Sequence, residues 1–61
     1  MPLISVSMLT GRTPEQKDKL AKALTQAYVN ELGVKPQSVQ VIMTDVDSDS
    51  WAVGGTLLRD R

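Results

Sequence analysis

The sequence predicts an α+β fold: a β-α-β protomer with parallel strands and a short C-terminal hairpin, completed by oligomerisation. Three observations predict it. An alternating apolar stretch, a capped amphipathic helix and a β-branched run follow one another with little chain between them. The chain is also only 61 residues long. A domain of that size covers only about 60% of the surface its unfolded chain exposes, while ordering each residue costs roughly 1.5 kcal/mol. Cys and His are both absent, so neither a disulfide framework nor a zinc site can supply the difference. Association with further chains is the remedy that is left.

The first strand covers residues 3–9, Leu-Ile-Ser-Val-Ser-Met-Leu. Ile4, Val6 and Met8 point to one face and Leu3, Ser5, Ser7 and Leu9 to the other, a period of two. Thr10-Gly11-Arg12 ends it. Thr13 then has the chemistry of an N-cap, with Pro14 at the first helical position, Glu15 in the first turn and Gln16 at capping-box spacing. Leu20, Leu24, Ala27, Tyr28 and Leu32 recur at helical intervals with Ala23 beside them, and Lys17, Asp18, Lys19 and Lys22 fall mostly on the solvated side. Gly33 suits the left-handed residue that closes a helix, and Pro36 prevents its resumption.

A second strand is read over 39–44, Val-Gln-Val-Ile-Met-Thr, from its β-branched residues. Strand, helix and strand in this order imply a crossover and parallel pairing. Residues 45–50 read as a polar loop, and 51–58 as a short hairpin turning at Gly54-Gly55. Two strands and one helix leave one sheet face and one sheet edge bare, and bare edges invite another chain. The hairpin is too short to be stable alone and is expected to pack on a neighbour.

Composition narrows the function. Seven Lys or Arg balance seven Asp or Glu, so the basic surplus that neutralises phosphates in nucleic-acid binders is missing. No apolar run approaches the roughly 20 residues that span a bilayer. The first residues lack the charged start and apolar stretch of a secretory signal, so a cytoplasmic location is the expectation. The absence of His and Cys leaves Asp, Glu, Lys, Tyr and the amino terminus as possible general bases.

Four places could carry chemistry. Pro2 follows Met1, and a small second residue permits Met removal. The exposed proline would be a secondary amine, a good base once apolar surroundings and nearby cations favour its neutral form. Pro2 could equally just begin an edge strand, where a missing N–H costs nothing. Arg12, before the helix start, could grip a carboxylate with two parallel hydrogen bonds or remain a solvated loop residue. Trp51 could fill the hairpin or wall a pocket. Asp45, Asp47 and Asp49 alternate as in a calcium loop, but Ser50 and Thr56 stand where that loop needs Gly and a bidentate Glu. Gly54-Gly55 lacks the Lys and long helix of a phosphate loop.

Met1-Pro2 before a strand, residues 11–17 (Gly-Arg-Thr-Pro-Glu-Gln-Lys), 38–43 (Ser-Val-Gln-Val-Ile-Met) and 51–55 (Trp-Ala-Val-Gly-Gly) occur in that order. Together they resemble the 4-oxalocrotonate tautomerase family in its short-chain branch. The resemblance spans residues 1–61 as one tautomerase-like domain. It implies a β-α-β protomer assembled as a homohexamer, or as a hetero-oligomer with a similar chain, with a small carboxylate as substrate. It implies that Pro2, freed of Met1, is the general base ketonising a 2-hydroxy dienoate such as 2-hydroxymuconate, an activity of aromatic catabolism. No cofactor is implied, since the conjugated substrate spreads the charge itself. Arg12 matches a family arginine that holds the distal carboxylate, and Trp51 stands where the family often has Phe, as an apolar wall.

One position departs from the pattern. Gln40 stands where strongly active members have a second arginine, contributed by a neighbouring subunit, and loss of one such electrostatic donor typically costs about 10²–10³ in rate. Three readings follow from Gln40: a slow or differently specific tautomerase, a partner chain that supplies the arginine, or Arg59 or Arg61 reaching across an interface. Two further roles are a catalytically silent partner chain, and a hydratase or dehalogenase using protonated Pro2 with Asp45 as water activator.

Overall fold

The structure is a computed structural model describing residues 1–61. Strand β1 spans Leu3–Leu9, helix α1 Pro14–Leu32 and strand β2 Gln40–Val46, followed by the short strands β3 (Ala52–Val53) and β4 (Thr56–Leu57). Single 3₁₀ turns at Pro36–Ser38, Ser48–Ser50 and Leu58–Asp60 connect or end these elements. β1 and β2 pair in parallel from Leu3 opposite Gln40 to Leu9 opposite Val46. The β-α-β unit and the terminal hairpin are as expected.

The helix begins by the predicted mechanism. Thr13 is extended at φ −75°, ψ 158°. Its Oγ1 accepts from the Gln16 amide at 3.1 Å, and Gln16 Oε1 accepts from the Thr13 amide at 3.0 Å. Two amides that the helix leaves unpaired are thereby satisfied. At the other end Gly33 turns left-handed at φ 68°, and its N–H bonds the Val29 carbonyl at 2.9 Å. In the hairpin, Gly54 and Gly55 sit at φ 59° and 83°, the paired positive angles of a type I′ turn that suits the twist of the flanking strands.

Three details differ from the sequence reading. β2 continues through Asp45 and Val46, because pairing with Met8 and Leu9 of β1 outweighs the poor strand propensity of Asp45, and Val46 is itself a good strand former. On α1 the half-buried residues are Lys17, Leu20, Ala21, Leu24, Thr25, Tyr28 and Val29, whereas Ala23 and Ala27 are exposed and Leu32 is 61% exposed. The apolar stripe was wider than one sheet needs, and only the arc facing β1 and β2 is covered. Lys17 belongs to that inward arc instead of the solvated side.

No residue of the protomer is fully buried. Ile4, Val6 and Met8 of β1, with Val41 and Met43 of β2, form the half-covered inner face. The other face, with Leu3, Ser5, Ser7, Leu9, Gln40, Ile42 and Thr44, is open. The radius of gyration is 14.5 Å, against about 10.5 Å for a compact chain of this length. The accessible area of 4656 Å² likewise exceeds the roughly 3,900 Å² of a folded monomer of this mass. The hairpin packs chiefly on the 3₁₀ turns beside it and stands off the helix and main sheet. A chain of this shape has no closed core of its own. No helix is long and apolar enough to cross a membrane.

Candidate active site

The fold sorts the candidate residues to two ends of the main sheet. Pro2 lies just before β1 and is half-buried. Its carbonyl accepts a hydrogen bond from the Gln40 N–H at 2.9 Å, which ties residue 2 to the start of β2 and keeps it from fraying. Gln40 is the register partner of Leu3 and is exposed on the open face, so Pro2 and Gln40 are neighbours at this end. With Met1 attached, the Pro2 nitrogen is part of an amide and carries no usable lone pair. Met1 itself is 88% exposed.

Arg12 lies at the opposite end. β1 leaves the sheet at Leu9, and Gly11, at φ 119°, takes a conformation that a side chain would resist. That turn delivers Arg12 to the mouth of a cleft of about 180 Å³ between β1 and the start of α1, where Val6, Met8 and Leu20 form the apolar lining. The ion pairs of the protomer are Lys17–Asp45, Lys22–Asp18 and Arg59–Asp60, so Arg12 has no carboxylate partner. Trp51 comes after the 3₁₀ turn that follows β2, beyond this same end of the sheet. It is half-buried, and its carbonyl accepts from the Leu58 N–H at 2.8 Å, which closes the hairpin.

Pro2 and Arg12 thus lie at opposite ends of β1. Six steps of strand separate Leu3 from Leu9, about 20 Å at roughly 3.3 Å per residue. Within one chain no small substrate bridges them. One copy brings Pro2 together with Gln40, and places Arg12 and the Trp51 hairpin at the far end. The residue that the sequence reading missed is Lys17, which lines the Arg12 cleft and pairs with Asp45 across to β2 at 2.5 Å. The signal was available, since Lys17 lies three residues before Leu20 and seven before Leu24, on one helical face.

A family model described as "Tautomerase enzyme" matches residues 2–61. A probable tautomerase of Ralstonia nicotianae is 47% identical over 55 residues, covering 90% of this chain and 79% of the relative. A 2-hydroxymuconate tautomerase of Bacillus subtilis is 37% identical over 60 residues, covering 98% of this chain and 97% of the relative. Among solved structures, TomN, a 4-oxalocrotonate tautomerase homologue in tomaymycin biosynthesis, superposes with a TM-score of 0.96 at 38% identity, covering 98% of this chain and 92% of its own. A heterohexamer 4-oxalocrotonate tautomerase from Chloroflexus aurantiacus superposes with a TM-score of 0.93 at 37% identity, covering 98% and 97%. Fold and sequence agree over nearly the whole length, and the chain belongs to the tautomerase family, as an isomerase homologous to 4-oxalocrotonate tautomerase.

Proposed function

We propose that the protein ketonises 2-hydroxy dienoates of the 2-hydroxymuconate type, with the Pro2 amine as general base once Met1 is removed. The amine takes the proton of the 2-hydroxyl group, and the O–H electron pair becomes the new carbonyl bond. The conjugated electrons move outward, and the protonated amine returns its proton to a carbon further along the chain. Arg12 holds the distal carboxylate and Trp51 screens the site from water. Gln40 offers a neutral hydrogen bond to the developing oxyanion, which makes the enzyme slower than one with a cation there.

The observation that carries this reading is the Gln40 N–H bond to the Pro2 carbonyl, within a chain that matches the tautomerase family from residue 2 onward. A base must be held still to work, and residue 2 is anchored at a point where most chains are loose. The site is completed by copies of the chain, as a hexamer, so that Pro2 of one meets Arg12 of another. A second reading, a mixed assembly in which a similar chain supplies a cation opposite Gln40, is favoured by the likeness to a heterohexameric tautomerase. Asp45 is a poor water activator by comparison, because Lys17 already engages its carboxylate.

The test is intact mass followed by a 2-hydroxymuconate ketonisation assay on the parent and on Pro2→Ala. The expected result is a chain lacking Met1, measurable turnover, and loss of most of it in Pro2→Ala with the assembly unchanged. A Pro2→Ala protein as active as the parent refutes the proposal. Co-purification of a second tautomerase-like chain supports the mixed assembly.

A further inference from the structure

The Arg12 cleft is lined by a second cation. Lys17 reaches it from the first turns of α1, and its ammonium lies 2.5 Å from Oδ2 of Asp45 on β2. The two side chains are 32% and 38% exposed, so the pair is partly out of water and screened less than one on the open surface. Asp45 is the register partner of Met8, which also lines the cleft. Of the two cationic side chains that line the cleft, Lys17 is therefore compensated and Arg12 is not.

We infer that Asp45 is a specificity-determining residue: by neutralising Lys17 it restricts the Arg12 cleft to a group bearing a single negative charge. A lone carboxylate matches one uncompensated guanidinium, whereas the second charge of a dianionic end finds Lys17 already taken and Asp45 close by. This rests on the proposed role of Arg12 as the holder of the substrate carboxylate. Asp45→Asn keeps the shape and the ability to accept a hydrogen bond from Lys17, and removes only the negative charge. A purely structural tie between α1 and β2 would respond to that change by loosening, without altering preference between ligands of different charge.

The experiment measures binding to the assembled protein by NMR titration at neutral pH and low salt. The probes are butyrate, with one carboxylate, and ethylmalonate, with two at the same end. In the parent, ethylmalonate binds no tighter than butyrate. In Asp45→Asn, ethylmalonate gains about fivefold relative to butyrate, the upper range for a partly exposed charge pair, and the gain disappears in high salt. Lys17→Met combined with Asp45→Asn removes both charges and returns the ratio to that of the parent. Should Asp45→Asn fail to assemble, Lys17→Met alone serves, since the freed Asp45 then weakens both probes and ethylmalonate more. A ratio unchanged in Asp45→Asn, or one that stays raised in the double variant, overturns the inference. Arg12→Ala separates the two readings. If butyrate binding survives it, the role of Arg12 has failed. If butyrate binding is lost while Asp45→Asn leaves the ratio unmoved, only the inference about Asp45 has failed.

Discussion

Ile42→Glu tests whether the open sheet face is the surface on which the fold is completed. Ile42 lies in the middle of β2, 53% exposed, on the same face as Leu3 at 53% and Leu9 at 37%. Burying a whole Ile side chain is worth about 1.5–3 kcal/mol, so the exposed half leaves roughly 1–1.5 kcal/mol per copy to be gained on assembly. Glutamate forfeits that gain and adds several kcal/mol for a carboxylate taken out of water without a partner. Together these give about 5 kcal/mol per copy, or roughly three to four decades in the association constant. Sedimentation or light scattering at micromolar concentration should then show the variant dissociated. Because Pro2 and Arg12 lie at opposite ends of one protomer, its turnover should fall to background although both residues are intact. Circular dichroism should show a melting temperature that rises with protein concentration for the parent, as mass action requires of a fold stabilised by association. A monomeric Ile42→Glu protein that turns over like the parent would refute the reasoning. So would a variant that assembles normally.

Two further outcomes follow from the local chemistry. Thr13→Ala removes the hydroxyl that accepts from the Gln16 amide and should cost about 1 kcal/mol, read as a lower urea midpoint at fixed protein concentration with the slope unchanged. On the proposed mechanism, ketonisation should decline as the pH is lowered, because protonation removes the lone pair with which Pro2 would act. A rate that stays level while NMR shows the amine fully charged would contradict the role of that base.

Much of the architecture was legible because local signals and tertiary structure agreed. The alternation of Ile4, Val6 and Met8, the Thr13–Gln16 box and the Gly33 terminus all appear where their chemistry places them. Legibility failed where assembly or long-range pairing intervened. Ala23, Ala27 and Leu32 look like core on a helical projection, yet the protomer leaves them uncovered. A periodic pattern marks the apolar surface that a helix offers, and a two-stranded sheet covers only part of it. Asp45 looked like loop because a carboxylate is a poor strand former, and its pairing with Met8 and its ion pair with Lys17 both come from residues distant in sequence. Pro2, Arg12, Gln40 and Trp51 were each identifiable as residues, but their division between two ends of β1 depended on the direction of a strand.

On the proposed mechanism, that division is what a chain this short has to overcome. A neutral amine needs a dry setting, and a carboxylate needs a cation held at a fixed distance from it. A protomer in which no residue is fully buried cannot shelter the one, and β1 keeps the other some 20 Å away. Stacking copies through the open face and the hairpin would meet both needs with the same contacts that stabilise the fold. Catalysis and stability then share one interface, and a substitution such as Ile42→Glu should remove both together. The Gln40 bond to Pro2 and the Lys17–Asp45 pair are each formed within one protomer, so on the proposed mechanism each half-site would be set in place before its complement arrives. Assembly would then have only to align two preformed ends, which would keep the ordering cost of the proposed catalytic groups out of the step that joins them.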